Sequence, residues 1–278
     1  MAAPSFLDWP FFEPRHRELQ AAAESWCGQH LGAAHPQARE AVDARCVDLV
    51  AKLGAAGLLR HCVRAGQGGV SADFDVRSIA LIRETLARFD GLADFAFAMQ
   101  GLGSGAITLA GSVELQDRYL PRVVRGEALA AFALSEAEAG SDVAGLKCRA
   151  RRDGAHYVLD GTKTWISNGG IADFYGVFAR TEPATVRANG TSAAAGISAF
   201  VVDAAAPGLS TAARIDIIAP HPMGTLAFDT CRIPAANRLG EEGEGFKIAM
   251  RTLDIFRTSV AAAAVGFAQR ALHESIAQ

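Results

Sequence analysis

Phe132-Ala-Leu-Ser-Glu-Ala-Glu-Ala-Gly-Ser-Asp142, and further on Trp165-Ile-Ser-Asn-Gly-Gly170, are the most informative words in this chain. The first ends a β-prone run, Ala128 to Leu134. It then sets two hydroxyls, Ser135 and Ser141, around the small residues Ala139 and Gly140. The second presents an indole, a hydroxyl and an amide at Trp165, Ser167 and Asn168. A Ser/Gly turn brings backbone N–H groups against phosphate oxygens. An indole beside hydroxyls suits a flat heteroaromatic ring with polar edges. The two words together point to a ligand site.

Working outward, residues 1–127 read as helical. Arg15 to His30 and Glu40 to Leu59 are rich in Ala and Leu with mixed charge. Val76, Ile79, Ala80, Arg83, Leu86 and Ala87 follow the rhythm of an amphipathic helix with one polar intrusion. Leu92 to Ala110 reads as a buried helix whose glycines permit close packing. Ser112 is placed to cap a short helix that stops near Pro121. From 128 to 238 the chain turns to short β-prone runs: Ala128–Leu134, Leu146–Arg151, His156–Leu159, Lys163–Ile166, Phe174–Ala179, Ile197–Val202, Ile215–Ile218 and Leu226–Ile233. Asp160-Gly161 between two of them predicts a two-residue hairpin. Many short strands at this spacing predict a barrel or sandwich. The stretch Glu182 to Gly196 reads as an exposed, mobile loop. Asn168-Gly169-Gly170 reads as a turn that ends a strand.

From Gly243 the helical rhythm returns. Phe246, Ala249, Leu253, Phe256, Val260, Ala264, Phe267, Ala271 and Ile276 form one apolar stripe. That stripe predicts a face buried against a partner this chain does not supply.

Composition narrows the function. The chain has 278 residues, a net charge of −3 and 50% hydrophobic residues, enough for a sizeable core. No basic stripe points to nucleic acid. Five cysteines without a Cys-x-x-Cys pair suggest reduced thiols in a cytoplasmic protein. Asp8 and Glu13 interrupt any signal-peptide pattern. No uncharged apolar run is long enough to span a membrane. The seven histidines show no metal-ligand spacing.

In order, spacing and identity, these words closely resemble the acyl-CoA dehydrogenase family of flavoproteins. Ser135-Glu136-x-x-x-Gly140-Ser141-Asp142 followed by Val143-Ala144-Gly145 looks like its acidic signature. Trp165-Ile166-Ser167-Asn168-Gly169 looks like its second segment. A third match is Leu253-Asp254-x-x-Arg257, followed by Ala264-Val265-Gly266-Phe267-Ala268-Gln269-Arg270-Ala271-Leu272. One such match has a real false-positive risk; three in the right order do not arise easily by chance.

The resemblance implies an α+β multidomain fold: an N-terminal helical domain (1–127), a central β-barrel or sandwich domain (128–238), and the start of a C-terminal helical bundle (239–278). It implies FAD as cofactor and an acyl-CoA thioester as substrate. A carboxylate would take the α-proton while the β-hydrogen leaves as hydride to flavin N5. It implies flavin contacts from Phe132, Leu134, Ser135, Trp165 and Ser167. Gly140 and Ser141 would serve the flavin pyrophosphate, Ser141 also the pantetheine of the substrate. Asp254 and Arg257 would serve the CoA end; without the resemblance they read as a surface ion pair. Glu136 and Asp142 carry over as structural acids. An electron-transfer flavoprotein or similar acceptor, and a homo-oligomer of two or four chains, follow as partners.

Three departures stand against the match. Glu136-Ala137-Glu138-Ala139 replaces the usual Pro-Gly after the first Glu and adds a negative charge near a pyrophosphate site. Pro220-His221-Pro222-Met223-Gly224-Thr225 is shorter than the family's loop and lacks its Arg-x-Ser-x-Thr pattern. No catalytic base is visible: where a subset of the family has a Glu just before the helix arginine, this chain has Phe256. The competing reading is therefore a base-less relative that binds flavin or acyl-CoA, or a subunit completed by a partner chain. An oxidase on the same scaffold is a third.

Overall fold

The computed structural model describes residues 5–32, 38–183 and 194–278. Five helices come first: α1 (Pro14–His30), α2 (Arg39–Ala55), α3 (Val76–Phe89), α4 (Gly91–Ala110) and α5 (Val113–Val124). Short polar side chains start the later ones. Asp75 accepts from the Arg77 N–H, Asp90 from those of Leu92 and Ala93, and Ser112 from that of Leu115. Each satisfies backbone donors that the first turn leaves free.

Helix α4 runs through the middle and is buried along most of its length. Its glycines explain why it can be. A Cβ at Gly103 would lie 2.6 Å from the Ala130 carbonyl carbon, and one at Gly101 would lie 2.4 Å from the Phe256 ring. Gly105 faces Thr252 and the same ring. Helix α5 does not stop at Pro121 as the sequence predicts; it continues to Val124. Tyr119, Leu120 and Val123 are all buried, and that packing outweighs the one backbone bond a proline removes.

The sheet holds eight strands: β1 (Ala130–Ala133), β2 (Arg149–Asp153), β3 (His156–Ser167), β4 (Phe174–Arg180), β5 (Ile197–Asp203), β6 (Leu209–Arg214), β7 (Met223–Pro234) and β8 (Arg238–Leu239). Their order is β6-β7-β3-β2-β4-β5-β8, with β1 beside β4. Strands β1 and β2 run parallel to β4, and the other pairs are antiparallel.

The hairpin expected at Asp160-Gly161 is not there. Strand β3 runs straight through it, and the reversal falls instead at Gly154, where Asp153 pairs with His156. Gly161 (φ 138°) sits at a register shift against β7, and a Cβ there would approach the Cys148 Cα to 2.8 Å. Its conformational freedom serves a bulge and a close approach, not a turn. Ile215–Ile218, expected as a strand, carries no strand; Ile218 is fully exposed, and the pairing passes to Leu209–Arg214 just upstream. The middle of the expected Glu182–Gly196 loop lies outside the described residues.

One helix, α6 (Gly245–Ala277), follows the sheet. Its buried face differs from the predicted stripe. Gly245, Ala249, Thr252, Phe256, Ser259, Ala263 and Gly266 are buried, in alternating steps of four and three. Val260, Val265, Phe267, Leu272 and Ile276 stand about half or more exposed. The two readings agree at Ala249 and Phe256 and then diverge. Small side chains win the contact because α3 lies so close: a Cβ on Gly266 would meet the Glu84 carbonyl oxygen at 2.2 Å.

Candidate flavin-side cavity

Strand β1 ends at the first sequence word. A turn follows in which Glu136 and Ala139 exchange backbone hydrogen bonds, Glu136 N–H to Ala139 O at 3.2 Å and the reverse at 3.1 Å. The Ser135 carbonyl accepts from Thr164 N–H at 3.0 Å, which joins the end of β1 to β3.

Beneath this turn lies a buried ion pair. The Lys163 ammonium, 0% exposed, donates to Glu136 Oε1 at 2.7 Å and to the Leu134 carbonyl at 2.9 Å. Glu136 also accepts the backbone N–H groups of Lys147 at 2.6 Å and Cys148 at 3.0 Å. Burial pushes the Lys163 ammonium below its usual range, while Glu136 works against that shift. Glu136 is thus engaged by structural donors on both carboxylate oxygens. Lys163 holds both residues flanking Ser135, and the sequence reading assigned it no role. Its signal was one lysine in an otherwise apolar and hydroxylic β run.

Strand β3 presents the second word by breaking its own register. The pairing with β7 shifts between Lys163 and Ile166. Trp165 falls in that shift, in the left-handed region (φ 58°), with its indole 59% exposed. Bulges commonly re-aim a side chain beside a site, and a non-glycine residue held at positive φ points to a constraint imposed for function. Asn168, also at positive φ (60°) and fully buried, donates its amide to the Ala130 carbonyl at 3.0 Å. Its N–H reaches the Pro222 carbonyl at 2.8 Å. Asn168 therefore fastens the turn to β1 on one side and to the Pro220–Thr225 loop on the other.

Phe132, Leu134, Ser135, Gly140, Trp165 and Ser167 all line one cavity of about 260 Å³. Met99 and Leu102 of α4 and Leu253 of α6 close it, with Val143 and Ile166. These five were not singled out as site residues from sequence. Met99 and Leu102 carried a signal only as large side chains within the glycine-rich α4. Ser141 is exposed and stands outside the lining. Asp254 and Arg257 also stand outside it: they are 70% and 68% exposed on α6 and form an ion pair at 3.7 Å. Among the described residues no carboxylate lines this cavity. Phe256, where a subset of the family has its base, is buried against Phe74 and the α4 glycines. Among the described residues no group of His, Cys, Asp or Glu is placed to hold a metal ion. No described helix is long and apolar enough to cross a membrane.

A helical unit, a β unit with this cleft at its edge, and a long helix closing over both make up the architecture. The family models for the acyl-CoA dehydrogenase N-terminal and middle domains match residues 13–127 and 131–231. A probable acyl-CoA dehydrogenase, fadE25, of Mycobacterium leprae is 38% identical over 266 residues, covering 94% of this chain and 65% of its own. The three-dimensional structure of butyryl-CoA dehydrogenase from Megasphaera elsdenii superposes with a TM-score of 0.80 at 30% identity, over 95% of this chain and 68% of that one. An acyl-CoA dehydrogenase of Bacillus anthracis, solved as a complex with FAD, gives 0.81 at 34% identity over 95% and 45%. The chain belongs to the acyl-CoA dehydrogenase family. It spans 65% of the length of the M. leprae relative.

Proposed function

We propose that this chain is the flavin- and thioester-binding part of an FAD-dependent acyl-CoA dehydrogenase that introduces an α,β double bond into an acyl-CoA thioester. The observation that carries the reading is the convergence of Phe132, Leu134, Ser135, Gly140, Trp165 and Ser167 on one cavity. The donor set fits a flavin. Ser135 and Ser167 offer hydroxyls to a polar ring edge, and the half-exposed Trp165 indole offers an apolar face that water leaves unsatisfied. A Cβ at Gly140 would meet nothing within 4 Å, so the turn leaves open space for a phosphate.

FAD, when bound, supplies the acceptor for the β-hydrogen. The chain's own contribution is to orient and to exclude water. Lys163 and Glu136 fix the backbone on both sides of Ser135, Trp165 would pack against the ring, and Leu253 and Met99 keep the cleft apolar. Gly140 and Ser141 are proposed for the pyrophosphate and Ser141 for pantetheine. Asp254 and Arg257 are proposed for the CoA end, where the exposed Arg257 guanidinium is free to meet a solvated phosphate. An electron-transfer flavoprotein or similar acceptor, a homo-oligomer and a cytoplasmic location complete the reading. The apolar residues left exposed on α6 support the oligomer.

A second reading has one observation in its favour. With no carboxylate in the lining, the chain fits a flavin- and thioester-binding subunit whose base comes from another chain. An anaerobic absorbance scan with a panel of acyl-CoA thioesters separates the two. Bleaching of the flavin bands by a thioester supports the dehydrogenase. Flavin that binds but stays oxidised with every thioester supports the base-less reading, and a protein that takes up no flavin overturns both.

A further inference from the structure

A second cavity, of about 390 Å³, neighbours the flavin-side one, and Met99 lines both. It runs between the first half of α4, the Ala219–His221 segment and Phe267 of α6. Its walls begin apolar, with Phe95, Ala98 and Met99. At the far end they change character. Arg45 pairs with Asp90 there, and Arg83 pairs with Asp94 through two hydrogen bonds of 2.8 and 2.7 Å.

The two arginines are not equivalent. Arg83 spends its remaining Nη1 on Ser259, at 3.1 Å, so all three of its nitrogens are engaged. Arg45 spends only Nη2, on Asp90; its Nε and Nη1 have no hydrogen-bond partner among the described residues. The Arg45 side chain lines the cavity and is 17% exposed, so water reaches those donors while the cavity is empty. Asp90 is committed elsewhere as well, since its Oδ1 caps α4 at Leu92 N–H, 2.8 Å away. His221 adds no charge: burial pushes its imidazole below the usual range, and its ring leans on Phe95 with centroids 4.3 Å apart.

We infer that this cavity selects an acyl group carrying a neutral oxygen function, a hydroxyl or a carbonyl, near its far end, with Arg45 as the residue that reads it. The inference rests on the acyl-CoA reading above and names the substrate class of the same site. Three occupants compete. A plain hydrocarbon tail would displace water from the spare Arg45 donors and give nothing back, and an unsatisfied buried donor is costly. A terminal carboxylate would bring a net negative charge to an end where two cations already balance two anions, beside the Asp90 and Asp94 carboxylates. A neutral oxygen accepts from Arg45 and leaves the charge balanced. Sites built to hydrogen-bond a substrate oxygen reject the analogue lacking it far more strongly than apolar pockets reject a methylene.

The test uses the FAD-loaded full chain and matched sets of thioesters at four, six and eight acyl carbons. Each set holds the straight-chain acyl-CoA, its ω-hydroxy form and its ω-carboxy form. At the chain length that reaches the far end, the hydroxy form is expected to show a KM about tenfold or more below both others, with kcat changed little. Arg45→Met with Asp90→Asn removes the donors, keeps the helix cap and leaves no buried charge unpaired; it should erase the preference. Arg45→Lys, which keeps the ion pair, should lower the preference without erasing it. Bleaching by straight-chain thioesters with no preference at any length overturns this inference and leaves the proposed function standing. So does a preference that survives in the double variant. No bleaching by any member overturns both.

Discussion

Lys163 and Trp165 stand two positions apart on β3 and invert the usual assignment of side chains. The charged one is 0% exposed and the aromatic one is 59% exposed. Residues two apart in a regular strand share a face; here the register shift against β7 turns them apart. The difference separates two jobs that one strand performs. Beneath the cleft, charge is buried to fix the backbone around Ser135. At the rim, apolar area is left exposed beside the proposed flavin site.

The comparison breaks most directly at Lys163. Lys163→Met leaves the Glu136 carboxylate buried without its cation, and losing one partner of a buried pair costs about 3–5 kcal/mol. Urea unfolding followed by circular dichroism measures this. Adding Glu136→Gln should recover part of the loss and not all, because Glu136 also accepts two backbone N–H groups. A single-variant cost below about 1 kcal/mol would mean that the buried pair does not hold the turn.

Trp165→Ala sharpens the other side. A mostly exposed indole contributes little to folding, so stability should change by no more than about 0.5 kcal/mol. FAD affinity, measured by quenching of flavin fluorescence, should fall about tenfold or more. The reverse result, a large stability loss with unchanged affinity, would make Trp165 an ordinary core residue.

This pair also shows what the sequence discloses and what it hides. Of the words at Phe132–Asp142 and Trp165–Gly170, Phe132, Leu134, Ser135, Gly140, Trp165 and Ser167 come together on one cavity, as their polar and aromatic pattern had suggested. The helix over 76–87 was legible because an amphipathic period is a local property; Arg15–His30 and Glu40–Leu59 were read from composition, and the second of these helices ends at Ala55, short of Leu59. The reading failed where a local signal had two structural uses. Asp160-Gly161 has the chemistry of a reversal, yet β3 uses Gly161 to approach Cys148. On α6 the apolar stripe was read as a face for a partner outside the chain, and Val260, Phe267 and Ile276 of it stay exposed; what the apolar pattern did not mark is the second face, where Ser259 and Gly266 let α3 come close. Lys163 was passed over because nothing local marks a lysine as buried; its partners lie 27 and 29 residues back in the chain.

The interior side of the comparison also responds to pH. Burial pushes the Cys148 thiol from its ordinary 9.0 up to about 11, with the Lys163 charge working against the shift. A thiol raised in this way contributes its full stability below 9.0, because both folded and unfolded states are then protonated. The contribution is lost as pH climbs from 9.0 through 11, where the unfolded chain ionises first. At pH 10 this thiol alone should remove about 1.4 kcal/mol. The drop between pH 7 and pH 10 in Cys148→Ala, compared with the drop in the parent, isolates it. Equal drops in the two proteins would show that the thiol is not sequestered. FAD affinity of Cys148→Ala at pH 7 should match the parent, since the rim does not use this group.

The smallest effect belongs to Lys147 and Glu138, which lie beside the same turn but outside both regions. They form an ion pair and are 75% and 74% exposed. Such pairs add little to folding, so Lys147→Ala should leave the urea midpoint where it is. Its effect should appear at the ligand instead. Glu138 replaces a small residue in the family's usual pattern, and Lys147 is the cation that offsets it beside the proposed pyrophosphate site. Without Lys147 that charge is bare, and FAD affinity should fall about two- to threefold at low salt. At high salt the difference should vanish, because exposed charges are screened over a few ångströms. Glu138→Ala should raise affinity under the same low-salt conditions. If Lys147→Ala lowers affinity equally at both ionic strengths, the lysine contacts the cofactor directly, and the cleft's rim extends further along the turn than Trp165 and Ser135 mark it.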